Sequence, residues 1–262
     1  NAASGWGLVP QNVYTGLKDG ETVHDHDAMD KALKAAVDSI LTKPSGKIDL
    51  YWMKGIDEIL DEHIGVAPVD FVYEGETYTP ETFRDYLGID PYSYINITSF
   101  THHPFGKKFI LEIPDNFSRG EFFNVPIDEM QRVVEGALSA GYTVAWDADV
   151  SEKGFSFSHG VALLPAKGEE EKLWKEEIVE EVVTQESRQI GFENQTTTDD
   201  HLMHITGLAT DQSGNKYFII KNSWGQNNPY GGHQYISMAY FRAKTIAILV
   251  NNEAVARAFQ GK

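Results

Sequence analysis

The chain has 262 residues, 41% hydrophobic and 23% charged, enough apolar material for a sizeable core and too much for a disordered acidic tail. Lys and Arg number 22 against 39 Asp and Glu; the net charge of −17 repels phosphate backbones and anionic lipid, which argues against nucleic acid and membrane partners. No run approaches the roughly 20 apolar residues of a membrane span, and the absence of cysteine removes disulfides, thiolate metal sites and any thiol nucleophile carried on this chain.

Residues 1–11, with Asn1-Ala2 given no weight, read as a lead-in segment containing Gly7-Leu8-Val9-Pro10. Asp27 is placed to cap a helix over 28–42, with Met29, Leu33, Ala36, Val37 and Ile40 on one face and Pro44, Ser45 and Gly46 as its stop. A second helix is predicted over 48–63 on the stripe Leu50, Met53, Ile56, Ile59 and Leu60, ending near Gly65. Thr79-Pro80-Glu81 starts a short helix to Leu87. Strands are predicted over 94–100 and, by alternation, 108–113. Pro126 to Glu129 opens a helix to about Ala140, and Gly141 releases a strand over 142–147. The acidic stretch 168–181 reads as a solvated helix face or loop. The last third reads as strands 201–210, 216–223, 233–240 and 244–250, with Asp211 to Asn215 as a hairpin turn and a closing helix over 253–259. Helices first and antiparallel strands later give an α+β class. The domain expectation is helical segments over 12–90 and a β-rich domain over 91–262.

Two residues in the last third could carry chemistry. His201 heads the first strand of the predicted hairpin, and Asn222 ends the second, in Lys221-Asn222-Ser223-Trp224-Gly225. The asparagine oxygen can accept the imidazole N–H and set tautomer and ring direction, leaving the other ring nitrogen to activate a nucleophile. Trp224 would roof that bond and keep water off it. A polar strand end and a buried Trp-Gly turn would produce similar text without catalysis.

These blocks, Asp200-His201 with Gly207, and Tyr217 through Gly225, resemble in order and separation the His and Asn boxes of papain-like cysteine peptidases. Gly141 to Ala148, followed by Ser158-His159-Gly160-Val161, is similar to the strand and return that precede those boxes. Leu8-Val9-Pro10, Ser99 to Pro104, Asp149 to Phe155, and Thr197 to His201 resemble the bleomycin hydrolase and aminopeptidase C branch. The similarity runs over residues 8–250, with two departures: Leu202 stands where a small residue is usual, and the loop after Trp224 is slightly shifted.

The resemblance implies a papain-like fold, mostly its β-rich right-hand domain, and the C-terminal part of a cysteine aminopeptidase acting on peptides without a cofactor. His201 would be general base and then acid, Asn222 its orienter and Trp224 the shield, while Trp146 and Asp147 fall where the cleft wall is expected. The family's nucleophilic Cys heads a helix well upstream of the His. Here no Cys exists, and Ser4-Gly5-Trp6 does not replace it, since Gly7 to Pro10 aligns with a segment beyond that helix. Ser223 is no substitute, because its side chain should leave the opposite face from Asn222. The chain alone is therefore expected to be inactive. Its alternatives are a non-catalytic peptide-binding or regulatory module, or one half of a two-chain enzyme completed by a Cys-bearing segment. A lone β-rich domain would expose an apolar face and tend to self-associate or need a partner. In the branch, the chain's own C-terminus can select a free substrate amine, a role open to Arg257–Lys262.

No metal site is expected. His24-Asp25-His26-Asp27 reads as a helix start, and His102-His103 as adjacent side chains that diverge without a third ligand. His204 should face away from His201 as a core or interface residue, and Asp199-Asp200 either raise the pKa of His201 or cap a turn. Three Asn-x-Ser/Thr sequons, at Asn96, Asn116 and Asn194, say nothing without a compartment, and the compartment is not legible here.

Overall fold

The computed structural model describes residues 2–18, 20–42, 48 and 51–259, the stretch 257–259 by backbone alone. The predicted stop at Pro44, Ser45 and Gly46 lies outside the described residues, as do residues 49–50 of the second predicted helix and 260–262 of the tail. The chain divides into two units, Asn1–Pro91 and Tyr92–Lys262.

The first unit holds helices α1 (Ala2–Trp6), α2 (Asp27–Leu41) and α3 (Trp52–Ile64), strands β1 (Phe71–Tyr73) and β2 (Glu76–Tyr78), and helix α4 (Pro80–Tyr86). Asp27 is the first helical residue of α2 rather than its cap; the Asp25 carboxylate accepts the Asp27 N–H at 3.1 Å. Neither α2 nor α3 fully buries a residue; their apolar stripes, with Met29, Leu33, Ala36 and Ile40 on one helix and Ile56, Ile59 and Leu60 on the other, are half-buried. The β1–β2 hairpin turns on Glu74 (φ 50°) and Gly75 (φ 90°), the positive pair that a two-residue turn needs to match strand twist. Thr79 and Thr82 form a capping box ahead of Pro80, and Phe83 packs edge-on against Phe71, Tyr73 and Tyr78.

In the second unit the elements are β3 (Tyr94–Thr98), β4 (Lys108–Ile110), β5 (Glu121–Asn124), α5 (Ile127–Ser139), β6 (Val144–Ala148), β7 (Phe155–Ser156), β8 (Val161–Ala162), α6 (Gln185–Glu193), β9 (His201–Thr210), β10 (Lys216–Lys221), β11 (His233–Ser237), α7 (Met238–Lys244), β12 (Thr245–Asn251) and α8 (Asn252–Phe259). They build a ten-stranded sheet in the order β4-β5-β3-β12-β6-β9-β10-β11-β8-β7. The sheet is mixed, since β3–β5 and β8–β11 pair in parallel. Helix α5 buries Ile127, Met130, Val133, Val134 and Ala137, a single helical face, in a core with Val144, Trp146, Ile205, Phe218, Ile220 and Ile236. Among the described residues no helix is long and apolar enough to cross a membrane.

One predicted element changes type. The strand expected over 233–240 ends at Ser237, whose hydroxyl accepts the Tyr240 N–H at 3.1 Å and starts α7. A serine N-cap inside an apolar run was the overlooked signal. The acidic stretch is a loop with one 3-10 turn, Glu170–Lys172, as the second of its two readings had it; a helix the sequence reading did not place, α6, follows it, opened by a Thr184–Ser187 capping box.

Candidate active site

His201 is the first residue of β9 and pairs with Ala148 at the end of β6, while Asn222 follows the last residue of β10. The register between β9 and β10 decides whether they meet. From the turn, pairs run Lys216↔Thr210 to Ile219↔Gly207, then shift to Ile220↔Ile205 and Lys221↔His204. Thr206 is the extra residue of a β-bulge, and its insertion reverses the facing of every β9 residue before it. Had the first register continued, Asn222 would oppose His204 and His201 would point to the other side of the sheet. The bulge puts His201, Met203 and Asn222 on one face.

There His201 Nε2 lies 3.0 Å from Asn222 Oδ1. The same oxygen accepts the Ser223 N–H at 2.7 Å, and Asn222 Nδ2 donates to Gln234 Oε1 at 2.9 Å. An acceptor oxygen facing Nε2 assigns the proton of the neutral ring to Nε2 and leaves the lone pair on Nδ1. Trp224 stacks on the imidazole, with centroids 5.0 Å apart and planes 21° off parallel, and Phe155 and Phe157 hold the indole edge-on. Asn222 is 3% exposed and Trp224 46%, so the indole is a lid with one wet face.

The approach to His201 is tied down by carboxylates. Asp200 accepts the Thr198 hydroxyl at 2.7 Å and the Val150 N–H at 3.1 Å; burial opposes its charge, but these bonds hold its carboxyl below the ordinary range. Of the two roles offered for Asp200, the geometry is that of a turn cap. Buried Asp149 accepts the Ser151 N–H and the Thr198 N–H and lies 3.6 Å from the Lys244 ammonium. Burial still raises the Asp149 carboxyl.

At the start of β9, Asn96, Asp115, Asp147, Asp199 and Leu249 line a cleft of about 390 Å³ whose lining also includes His201 and Leu202. Burial pushes Asp147 up to about 8, reinforced by the charge of Asp199, whose own carboxyl is raised by burial too. The two titrate as a pair, with the Asp147 carboxyl raised the further. Its neighbour Trp146 corrects the expectation of a cleft wall. That indole is 0% exposed, stacks on Phe241 and donates Nε1–H to Thr245 Oγ1 at 2.8 Å, so it presents no surface to a substrate. Strand alternation explains the split: Val144, Trp146 and Ala148 face the core, while Ala145 and Asp147 face the cleft.

His204 points away from His201 as expected, but to an exposed position where Nε2 meets Thr143 Oγ1 at 2.7 Å. His24 and His26 stack with each other, and the described residues bring no third metal-ligating side chain to them. His102 and His103 do not diverge. Their Nε2 atoms lie 3.1 and 2.9 Å from the two oxygens of Glu112, a three-residue cluster of the size a metal ion needs. The donor set nevertheless fits a metal poorly. Gln189 Oε1 accepts the Thr101 N–H, so its amide nitrogen donates to His102 Nδ1, whereas a ligating histidine donates from that second nitrogen. The cluster reads as two imidazole N–H groups clamping one carboxylate.

A mixed sheet carrying a histidine and an asparagine on adjacent strand ends beneath a tryptophan defines a papain-like α+β protein. The chain belongs to the Peptidase C1-like family, whose model matches residues 68–261. Among solved structures it is similar to PepW from Lactobacillus rhamnosis HN001 (DR20), with a TM-score of 0.65 and 18% identity, over 99% of this chain and 63% of that one. The chain thus spans less than two thirds of PepW's length. Matches to bromelain from Ananas comosus in complex with the E64 inhibitor (TM-score 0.28, 15% identity, 47% of this chain and 45% of that one) and to the ragweed allergen Amb a 11 in its proform (0.29, 18%, 48% and 30%) cover less of the fold. No curated protein matches the sequence.

Proposed function

We propose that this chain supplies the base half of a cysteine aminopeptidase, with the nucleophilic thiol brought by a segment outside it. The observation that carries the reading is the His201–Asn222 bond under Trp224, set up for thiol activation in a chain that contains no cysteine. Nδ1 of His201 would take the thiol proton, and the thiolate would add to the carbonyl carbon of the first peptide bond. Collapse breaks the C–N bond as the imidazolium returns its proton to the leaving amine. Water then attacks the thioester, with His201 taking and returning a proton a second time. Release of N-terminal residues rests on the sequence resemblance to the aminopeptidase C branch. Exposed Leu202 (68%) and Leu249 (39%) mark apolar surface that a Cys-bearing segment or a second copy would cover.

The chain alone is expected to leave aminoacyl fluorogenic substrates intact. Adding or fusing an upstream Cys-bearing segment should restore hydrolysis by about 10⁴-fold or more, the scale on which a lone nucleophile matters. Hydrolysis by the purified chain would overturn the reading. Peptide binding with no turnover in any combination would favour the regulatory module instead.

A further inference from the structure

We infer that Gln234 is a positioning residue that selects the tautomer of His201 by orienting the Asn222 amide. The inference rests on the dyad reading above, and its test separates the two. An asparagine amide is nearly symmetric in shape, so its neighbours must decide which end faces the imidazole. If Oδ1 faces Nε2, the ring keeps Nε2–H and Nδ1 is the free base. If the amide is turned over, Nδ2 donates to Nε2, the proton moves to Nδ1, and the nitrogen needed toward a thiol is blocked.

Two groups hold the productive orientation. One is the backbone N–H of Ser223, 2.7 Å from Oδ1. The other is Gln234 Oε1, which accepts Nδ2–H at 2.9 Å from the second residue of β11, where Gln234 pairs with Ile220. Met203 Sδ, at 3.8 Å, is a weak further acceptor. Gln234 is 0% exposed, and its own Nε2 is buried without a hydrogen-bond partner. A buried amide that satisfies its neighbour and leaves its own donor orphaned is a poor choice for stability alone. Turning Gln234 over would set Nε2 against Asn222 Nδ2, donor against donor. The orphaned nitrogen follows from presenting the oxygen to Asn222.

Imidazole ¹⁵N spectra of the labelled chain, taken where the rings are neutral, read the tautomer directly and need no thiol. Wild-type His201 is expected with a pyrrole-type Nε2 and a pyridine-type Nδ1. In Gln234→Met the ratio of Nε2–H to Nδ1–H forms should fall about tenfold, the weight of one hydrogen bond, whereas Gln234→Glu, which keeps an acceptor oxygen, should restore it. A loss of packing alone would not move these shifts in opposite senses. An unchanged ratio in a folded Gln234→Met overturns the inference and leaves the dyad standing. An Nδ1–H ring in the wild type overturns the dyad itself. Should Gln234→Met fail to fold, a through-bond coupling between Asn222 Nδ2 and Gln234 Cδ in the wild type decides the matter, and its absence counts against Gln234.

Discussion

Asp147→Asn is expected to make the protein more stable at about pH 8 by the order of a few kcal/mol, with little change near the ordinary carboxylate range. The native Asp147 carboxyl, pushed up to about 8 by burial and then by the Asp199 charge, keeps its proton over a range where the unfolded chain has lost it. Between about pH 4 and pH 8 the folded state therefore binds the extra proton. The stability this group lends is complete below the unfolded value and drains away as pH rises toward 8. Asparagine can donate to Asp199 as the protonated acid does, but it has no proton to lose, so this contribution to the pH slope disappears. Asp149 and Asp199 are also raised and keep part of the slope, while Asp200, held low, acts in the opposite sense. Urea unfolding of both proteins across that range measures the difference. Parallel slopes would mean that the shared proton does not sit on Asp147.

Trp146→Ala should lose about 3–5 kcal/mol, the range for deleting a large aromatic from a packed core. The indole pairs across the sheet with Met203, stacks on Phe241 and satisfies the buried Thr245 hydroxyl. Its removal leaves a cavity and an unmet acceptor directly beneath the strand that starts at His201. Trp146→Phe should recover most of the packing and forfeit only the hydrogen bond, about 1 kcal/mol. Urea midpoints report both, and an alanine variant as stable as the wild type would show that the tryptophan is not a core anchor.

Patterns read over a few neighbouring residues were legible in advance. The existence of β6 and α5, the Asp211–Asn215 turn and the hairpin that brings the strand ends of His201 and Asn222 side by side all follow from local pattern and turn chemistry. Elements whose type hinges on one capping residue were not. Ser237 converts a β-like run into α7, and Thr184 opens α6 in a stretch to which no element was assigned. Trp146 was placed at the cleft wall on the resemblance, although an aromatic at a strand end is more often core, and one step of alternation separates the two. His102 and His103 meet at Glu112 only because the chain folds back between them, which adjacency in sequence does not reveal.

Composition and motif alone determined that this is an acidic α+β chain carrying a histidine box and an asparagine box and no thiol. Which way those side chains face was decided by tertiary structure. Facing in a sheet depends on the parity of the ladder, and one bulged residue, Thr206, inverts it without leaving a periodic trace. The orientation of Asn222 is likewise set by an amide on β11, a strand with no sequence adjacency to His201. Hydrogen-bond direction at a buried amide is a property of its surroundings, and only the folded chain supplies them.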